Sequence, residues 1–211
     1  MTPPNSPTIE KLAVVVLAAG GSTRMGRSKQ LLPAGGETLL HRAVSTALRA
    51  AVGDVWVVLG SEAERHALEL SSLETRIIVN RDWQSGMGSS IKKAVHELAN
   101  MSYEALLFMV CDQPLLTPNH LMELVRAARD PQVLIAASAY GQSVGVPAVF
   151  RAARFPDLIG LDDRAGAKKV IADHPASTRL IPFEAAACDL DTQEDYERYL
   201  QSVGERPDKG T

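Results

Sequence analysis

A glycine-rich segment near the start of the chain contains the residue types that bind phosphate groups. The run LAAGGSTRMGRSKQLLP, residues 17–33, combines small residues with several basic ones. In a tight turn over residues 18–22, backbone N–H groups can surround phosphate oxygens, and Arg24 and Lys29 would project into the same opening. The spacing therefore predicts a site for a nucleoside triphosphate. Considered alone, the run also fits a surface turn with solvated charges.

The spacing in this run differs from that of two known nucleotide-binding loops. A P-loop places lysine directly after its second glycine, whereas here two residues separate Gly26 from Lys29. Gly20 and Gly21 are adjacent, so the run is not G-x-G-x-x-G either. Pro33 interrupts the segment where a P-loop would begin a long helix. The sequence therefore predicts a different kind of triphosphate-binding turn.

Asp112 could bind a divalent cation close to such a turn. It follows the apolar run ALLFMVC, residues 105–111, and Pro114 stiffens the chain behind it. A carboxylate at the end of a strand and near bound phosphate can hold a magnesium ion that bridges protein and phosphate. Aspartate is also common as a turn residue ahead of proline, and this position alone fits both interpretations.

A second acidic group lies in the run CDLDTQEDY, residues 188–196. Asp191 or Thr192 is expected to cap the terminal helix, with further acidic residues in the first turn of that helix. Asp189 is then free to point into the site.

Short β-branched runs alternate with amphipathic segments along the chain. Strands are predicted at residues 12–18, 54–60, 75–80, 105–110, 132–138, 146–150 and 179–181. Helices are predicted after Thr38, over residues 89–100, 118–129 and 164–172, and after Asp191. This alternation predicts an α/β fold with a mostly parallel central sheet and helices on both faces. Ligands of such sheets bind beyond the carboxyl ends of the strands, where the residues above are expected to meet.

Length and composition set further bounds. The 211 residues predict one domain over residues 11–203, with residues 1–10 and 204–211 as flexible tails. A net charge of −3 disfavours a nucleic-acid partner. The polar start does not resemble a signal peptide, and the apolar stretch 12–19 is too short to span a membrane, so we expect a cytoplasmic protein without a membrane partner.

The order of residues in 17–33 resembles the signature of nucleotidyltransferases with a Rossmann-like fold. Within them it resembles the molybdenum cofactor, or MobA-like, nucleotidyltransferases, whose pattern is L-A-(A/G)-G-x-S-x-R-M-G-x-x-K. These enzymes couple a nucleoside triphosphate to a phosphorylated acceptor and release pyrophosphate. The resemblance spans residues 12–200 and implies a three-layer Rossmann-like fold. The nucleotide-binding residues that it implies are Leu17, Ala18, Ala19, Gly20, Gly21, Ser22, Arg24, Lys29, Ser85, Gly86, Met87, Gly88 and Ser89.

The resemblance also implies roles for the charged residues. Lys29, Arg24 and Asp112 are the implied catalytic residues, and the two basic side chains hold the phosphates. Asp112 matches the family's metal-binding D-x-P element, and the cofactor is Mg²⁺. The run CDLDTQEDY resembles the ending D-(I/L)-D-T-P-E-D-Y, with glutamine in place of proline, and assigns the second metal ligand to Asp189, with Asp191 as the alternative. Since an acceptor phosphate is already ionised, the chemistry requires positive charge and positioning rather than a general base.

The substrates follow from finer resemblances. Ala19 stands where the guanylyltransferase branch usually has glycine, and KQLLP, residues 29–33, resembles the cytidylyltransferase branch, so CTP and a molybdenum-bearing pterin acceptor are favoured. GTP or another phosphorylated acceptor is the alternative. Residues 145–150 and 161–171 resemble the acceptor side, where Lys168 could meet the acceptor phosphate. A transient contact with a molybdoenzyme or its chaperone is also expected.

Two hypotheses from other classes remain: a P-loop ATPase, and a noncatalytic chaperone that binds the molybdenum cofactor. The five histidines are scattered and are expected to be surface or hydrogen-bonded groups. Cys111 and Cys188 lie far apart without a C-x-x-C spacing, so neither a disulfide framework nor a zinc site is expected. Each is expected to pack as a small hydrophobic residue.

Overall fold

Strands and helices alternate along the chain, as the sequence pattern predicts. The computed structural model describes residues 9–22 and 25–205. Its strands are β1 (Leu12–Ala18), β2 (Pro33–Ala34), β3 (Glu37–Thr38), β4 (Asp54–Leu59), β5 (Arg76–Val79), β6 (Ala105–Val110), β7 (Ile135–Tyr140), β8 (Ser143–Arg151) and β9 (Thr178–Pro182). Its helices are α1 (Leu39–Ala50), α2 (Ala63–Glu69), α3 (Met87–Ala99), α4 (Pro118–Ala128), α5 (Phe155–Ile159), α6 (Ala167–Asp173) and α7 (Gln193–Val203).

Seven strands form the central sheet in the order β5-β4-β1-β6-β8-β7-β9, and β2 and β3 form a separate hairpin. Six of the seven strands run parallel, and β8 is antiparallel to both β6 and β7. β8 is reversed because only Gly141 and Gln142 connect it to β7, and Gly141 has a φ of +53° that this tight connection uses. The predicted α/β class with a mostly parallel sheet is confirmed.

Side chains of alternate residues in the strands form two apolar layers, one on each face of the sheet. On one face, Val14 and Val16 of β1 pack with α1 and α4. On the other face, Val15 and Leu17 pack with α3 and α6. Every residue of β1 is buried, which is why this strand lacks a polar–apolar alternation in the sequence. With helices packed on both apolar layers, the fold has three layers: helices, sheet and helices. The parallel pairing of β1 with β6 places the carboxyl ends of these two strands side by side.

A third apolar cluster connects α7 to the segment that follows the glycine loop in the sequence. Tyr196, Tyr199 and Leu200 of α7 pack on Leu32 and Leu39. The Tyr196 hydroxyl also donates a hydrogen bond to the Pro33 carbonyl at 2.8 Å. This contact holds residues 189–192 at the same edge of the sheet as the loop after β1.

Most predicted elements agree with the structure within a few residues, but two short helices, α2 and α5, were not predicted. α2 lies between β4 and β5 and follows Glu62, which has a φ of +48° and makes no side-chain cap. Only His66 of this helix is buried, so α2 lacks the apolar periodicity that revealed the longer helices. No helix in the described part of the chain has the length and apolar character needed to cross a bilayer. The single domain over residues 11–203 stays a prediction.

Candidate active site

The loop after β1 is tied together by one buried glutamine. Gln30 is 2% exposed, and its amide nitrogen donates to the carbonyls of Ala18 at 3.2 Å and Gly20 at 2.6 Å. Its carbonyl oxygen accepts from the hydroxyls of Ser22 at 2.9 Å and Ser28 at 3.1 Å. Both ends of the loop are therefore bound to one side chain.

Two further contacts define the shape of this loop. Ser22 has a left-handed φ of +51°, and its hydroxyl accepts the backbone N–H of Lys29 at 2.9 Å. Gly21 lies against the Trp83 ring, since a Cβ on Gly21 would come within 2.8 Å of that ring. A larger residue at position 21 would therefore have to displace the Trp83 ring, and the turn brings Lys29 back towards the carboxyl end of β1.

Lys29 lies between two of the predicted acidic residues. Its ammonium group donates to Asp112 Oδ2 at 2.6 Å and to Asp191 Oδ1 at 3.1 Å. The side chains of Lys29 and Asp112 are 14% and 17% exposed, and that of Asp191 is 46% exposed. Burial alone would lower the pKa of Lys29, but the carboxylates outweigh this effect and raise the pKa, so the side chain stays a cation.

Three carboxylates converge at this point. One oxygen each from Asp112, Asp189 and Asp191 lies within 4.8 Å of the others. The Leu190 N–H donates to the Asp112 carbonyl at 3.1 Å, which holds the two later aspartates beside the end of β6. Burial and the neighbouring carboxylates Asp112 and Asp191 raise the pKa of Asp189 to about 7. The cluster therefore carries excess negative charge in spite of the ammonium group beside it.

The hydrogen bonds at the start of α7 show which residue caps that helix. Thr192 is the N-cap, and it forms a reciprocal capping box with Asp195. Of the two caps that the sequence left open, Thr192 is therefore the one used. Asp191 and Asp189 both belong to the carboxylate cluster.

This cluster fits a hard divalent cation. Asp112 Oδ1 is buried and has no hydrogen-bond partner in the described part of the protein, as expected for an oxygen that takes a metal ion. Carboxylate oxygens are the ligands that Mg²⁺ and Mn²⁺ prefer. Asp112, Asp189 and Asp191 are the residues that would hold the ion.

A cleft of about 240 Å³ opens beside these carboxylates. Seven predicted site residues line it: Leu17, Ala18, Gly20, Ser22, Lys29, Met87 and Asp112; Asp191, the alternative ligand, also lines it. Ala19 is buried, and its carbonyl accepts from the Ser61 N–H at 3.0 Å. Arg24 lies outside the described residues. The structure thus brings the loop, the lysine and the acidic residues of the prediction to one place.

The predicted segment 85–89 contacts the cleft through Met87, whereas its glycines face another part of the chain. The Gly88 N–H donates to the Asp163 carbonyl at 2.8 Å, and a Cβ on Gly86 would lie 2.4 Å from that same oxygen. Ser89 is buried, and its hydroxyl donates to backbone carbonyls, including that of Gly86 at 2.7 Å. Ser85 is exposed. Close packing of two backbones therefore requires these glycines, whether or not a ligand contacts them.

Substituting Gly88 by alanine should destabilise the protein, whereas the same change at Gly20 should not. A Cβ at position 88 would lie 2.1 Å from the Asp162 carbonyl oxygen, whereas nothing lies within 4 Å of a Cβ at position 20. Such overpacking against backbone costs about 1–3 kcal/mol or more. Urea denaturation of both variants measures the difference, and equal midpoints would contradict the packing described.

Sequence reasoning missed three residues around the cleft. Gln30 was noted only within KQLLP, although a polar residue next to a predicted phosphate-binding lysine was a usable signal. His66 contacts Ser28 from a helix that was not predicted, at 2.7 Å from Nε2 to Oγ. Tyr140 is the last residue of β7. Burial is the largest cause that raises the pKa of its phenol, and the negative charges of Asp189 and Asp112 add to it. Neither His66 nor Tyr140 carries a local sequence signal that points to the cleft.

The surroundings of Cys111 and of the buried histidines His66 and His120 indicate structural roles. Burial raises the pKa of the Cys111 thiol to about 12, so this residue packs as a small hydrophobe beside Asp112. His66 and His120 are buried, and each contacts a serine hydroxyl at 2.7 Å through Nε2. Desolvation lowers the pKa of His120 to about 4, which keeps it neutral near pH 7.

Comparison with known sequences identifies relatives along most of the chain. The model of the MobA-like NTP transferase domain matches residues 14–178. The nicotine blue oxidoreductase of Paenarthrobacter nicotinovorans is 33% identical over 195 residues, which cover 88% of this chain and 95% of that protein. The molybdenum cofactor guanylyltransferase of Rhodobacter capsulatus is 28% identical over 193 residues, or 89% of this chain and 94% of that protein.

Solved structures show the same architecture. Rv0371c from Mycobacterium tuberculosis H37Rv has a TM-score of 0.81 and 28% identity, over 90% of this chain and 97% of that one. A complex of Rv0371c with manganese gives a TM-score of 0.76 and 26% identity, over 92% and 100% of the two chains. The family match and the shared fold agree, and the chain therefore belongs to the MobA-like NTP transferase family, a family of nucleotidyltransferases.

Proposed function

We propose that this protein transfers CMP from CTP to a molybdenum-bearing pterin cofactor and releases pyrophosphate, with Mg²⁺ as the metal. The observation that carries the proposal is the position of Lys29 among the three aspartates beside the glycine loop. This arrangement joins a cation for phosphate, ligands for a divalent ion and a turn of small residues in one cleft. Such a combination suits phosphoryl chemistry, in which charge stabilisation and positioning lower the barrier.

In the proposed reaction, a phosphate oxygen of the acceptor attacks the α-phosphorus of the nucleotide. A new P–O bond forms, the bond from the α-phosphorus to the bridging oxygen of the β-phosphate breaks, and pyrophosphate leaves with that electron pair. The backbone of residues 17–22 would hold the triphosphate, and Lys29 would offset negative charge on its oxygens. Asp112, with Asp189 or Asp191, would hold Mg²⁺, which when bound supplies positive charge to the phosphates. Arg24 is proposed to contact the phosphates, and residues 85–89 to line the nucleotide pocket.

The choice of CTP rests on Ala19 and on the KQLLP run. Ala19 is a buried residue of the loop, and Gln30 of the run shapes that loop. The molybdenum cofactor acceptor is supported by the family resemblance and by the name of the Rhodobacter capsulatus relative. Because that name specifies guanylyl transfer, GTP is the alternative nucleotide.

Pyrophosphate release tests the proposal. Purified protein is incubated with Mg²⁺ and CTP, GTP, UTP or ATP, with and without molybdenum cofactor, and the pterin product is identified by mass spectrometry. We expect release only with the cofactor present, with kcat/KM for CTP at least about tenfold above that for GTP, which corresponds to one good hydrogen bond. Preference for GTP would overturn the base assignment. No release with any nucleotide would overturn the acceptor or favour the noncatalytic chaperone.

The similarity to a nicotine blue oxidoreductase adds a second candidate, since that relative is 33% identical over nearly its whole length. A redox activity would appear as oxidation of NADH or NADPH in the presence of a reducible dye. The carboxylate cluster with Lys29 favours nucleotidyl transfer, because hydride transfer has no need for a set of divalent-cation ligands. Dye reduction without pyrophosphate release would favour the oxidoreductase.

A further inference from the structure

A network of hydrogen bonds lies beneath the glycine loop and connects it to α2. His66 Nε2 and Ser28 Oγ are 2.7 Å apart, and Ser28 donates to Gln30 Oε1 at 3.1 Å. Burial lowers the pKa of His66, which keeps the ring neutral, and the partners of Ser28 assign the proton to Nε2. The chain of donors therefore runs from His66 through Ser28 to Gln30.

A second chain of donors reaches the same oxygen from the lysine. The Lys29 N–H donates to Ser22 Oγ at 2.9 Å, and Ser22 donates to Gln30 Oε1 at 2.9 Å. The two N–H groups of the Gln30 amide are used by the Ala18 and Gly20 carbonyls. All four hydrogen-bonding positions of this buried amide are thus occupied, and they connect both ends of the loop to the backbone of Lys29.

Such a network determines geometry because each member would be costly to leave unpaired. A buried amide that loses its partners costs about 1–3 kcal/mol, so alternative loop conformations are disfavoured while Gln30 stays in place. The loop needs such a device, since it contains two adjacent glycines and the left-handed residue Ser22.

We propose that Gln30 is the positioning residue of the triphosphate site: its amide fixes the path of residues 18–22 and the direction from which Lys29 enters the cleft. Ser28 donates to the Gln30 side-chain oxygen, and His66 of α2 contacts Ser28 in turn. The role in triphosphate binding rests on the proposed function, whereas the role in fixing the loop does not.

Hydrogen exchange of the free protein tests the fixing of the loop without any substrate. Peptides covering residues 17–32 are followed by mass spectrometry in wild type, Gln30→Glu and Ser28→Ala. Gln30→Glu keeps the shape but removes both N–H donors, and Ser28→Ala removes the link to His66. We expect exchange in these peptides to be about tenfold faster in Ser28→Ala and faster still in Gln30→Glu.

Ser28→Thr keeps the hydroxyl and should restore protection. Ser45→Ala, which alters a serine–histidine contact on α1, is the matched control with wild-type exchange. Unchanged exchange in Ser28→Ala would overturn the proposal, even if Gln30→Glu does not fold.

Calorimetric titration with Mg²⁺ and inorganic tripolyphosphate tests the link to triphosphate binding. We expect Kd to rise about tenfold in Ser28→Ala and to return to the wild-type value in Ser28→Thr. Wild-type affinity in a Ser28→Ala variant whose loop exchanges faster would overturn the binding role. If wild-type protein does not bind tripolyphosphate, the proposed nucleotide site is wrong, and hydrogen exchange still decides the role of Gln30 in the loop.

Discussion

Replacing Asp112 by asparagine should lower kcat/KM for nucleotidyl transfer by about a thousandfold or more. Asp112 Oδ1 is buried without a partner in the described part of the protein, and Oδ2 accepts the Lys29 ammonium at 2.6 Å. Asparagine keeps the shape but has no charge for either cation. The variant should fold, because the lost ion pair is offset by relief of repulsion among the three carboxylates.

Metal binding gives a second readout of Asp112 that needs no substrate. Titration with Mn²⁺ alone, followed by electron paramagnetic resonance, should show at least about tenfold weaker binding in Asp112→Asn. The variants Asp189→Asn and Asp191→Asn identify the second ligand, because the one that weakens Mn²⁺ binding more is the closer partner of Asp112. We predict that this is Asp189.

The control for Asp112 is Asp130→Asn. Asp130 is paired with Arg179 at 2.8 Å near the start of β7, at the opposite edge of the sheet. This variant should keep wild-type kcat/KM and Mn²⁺ affinity. Near-normal activity of Asp112→Asn would overturn the metal assignment.

Replacing Lys29 by methionine should change activity and metal affinity in opposite directions. Without the ammonium group, the negative charge that develops on the phosphates loses a partner, so kcat/KM should fall by about a hundredfold to a thousandfold. The same ammonium repels a divalent cation from the adjacent carboxylates in the free protein. Its removal should therefore tighten binding of Mn²⁺ by about fivefold.

This pair of results separates a phosphate-binding lysine from a structural one. A lysine that only neutralises the acidic cluster would, when removed, change metal binding and stability but leave the kinetics of metal-saturated enzyme intact. Arginine should not restore activity, because its planar guanidinium cannot replace a compact ammonium between two carboxylates. Steady-state kinetics at saturating Mg²⁺ and Mn²⁺ titration measure the two effects.

Arg27→Met is the matched control for Lys29. Arg27 lies two residues away, but its guanidinium donates to Gln193 at 3.2 Å and lies over the Tyr196 ring, away from the cleft. Its removal should leave kcat/KM within about twofold of wild type, as expected for an exposed surface substitution. Equal losses in the Arg27 and Lys29 variants would favour the P-loop alternative.

Local patterns predicted the parts of the site that lie directly after strands. The apolar runs that form β1 and β6 are unmistakable, and strands of a parallel sheet end at one edge, so the glycine loop and Asp112 could be placed together from sequence. Thr192 and Asp191 were both plausible caps, because each has a side chain that can accept a backbone N–H. Only the packed helix shows that Thr192 is the cap.

The sequence by itself determined the alternation of strands and helices, the chemistry of the loop and the set of charged residues available to it. Tertiary structure decided how those charges meet: α7 packs on Leu32 and Leu39, and this contact brings Asp191 within 3.1 Å of Lys29, 162 residues earlier. Tertiary structure also decided that Gln30 faces inward, where it binds the Gly20 carbonyl and connects through Ser28 to His66 of α2. Periodicity encodes which face of an element is buried, but the partner of a polar side chain depends on contacts between segments far apart in the chain, which no local pattern contains.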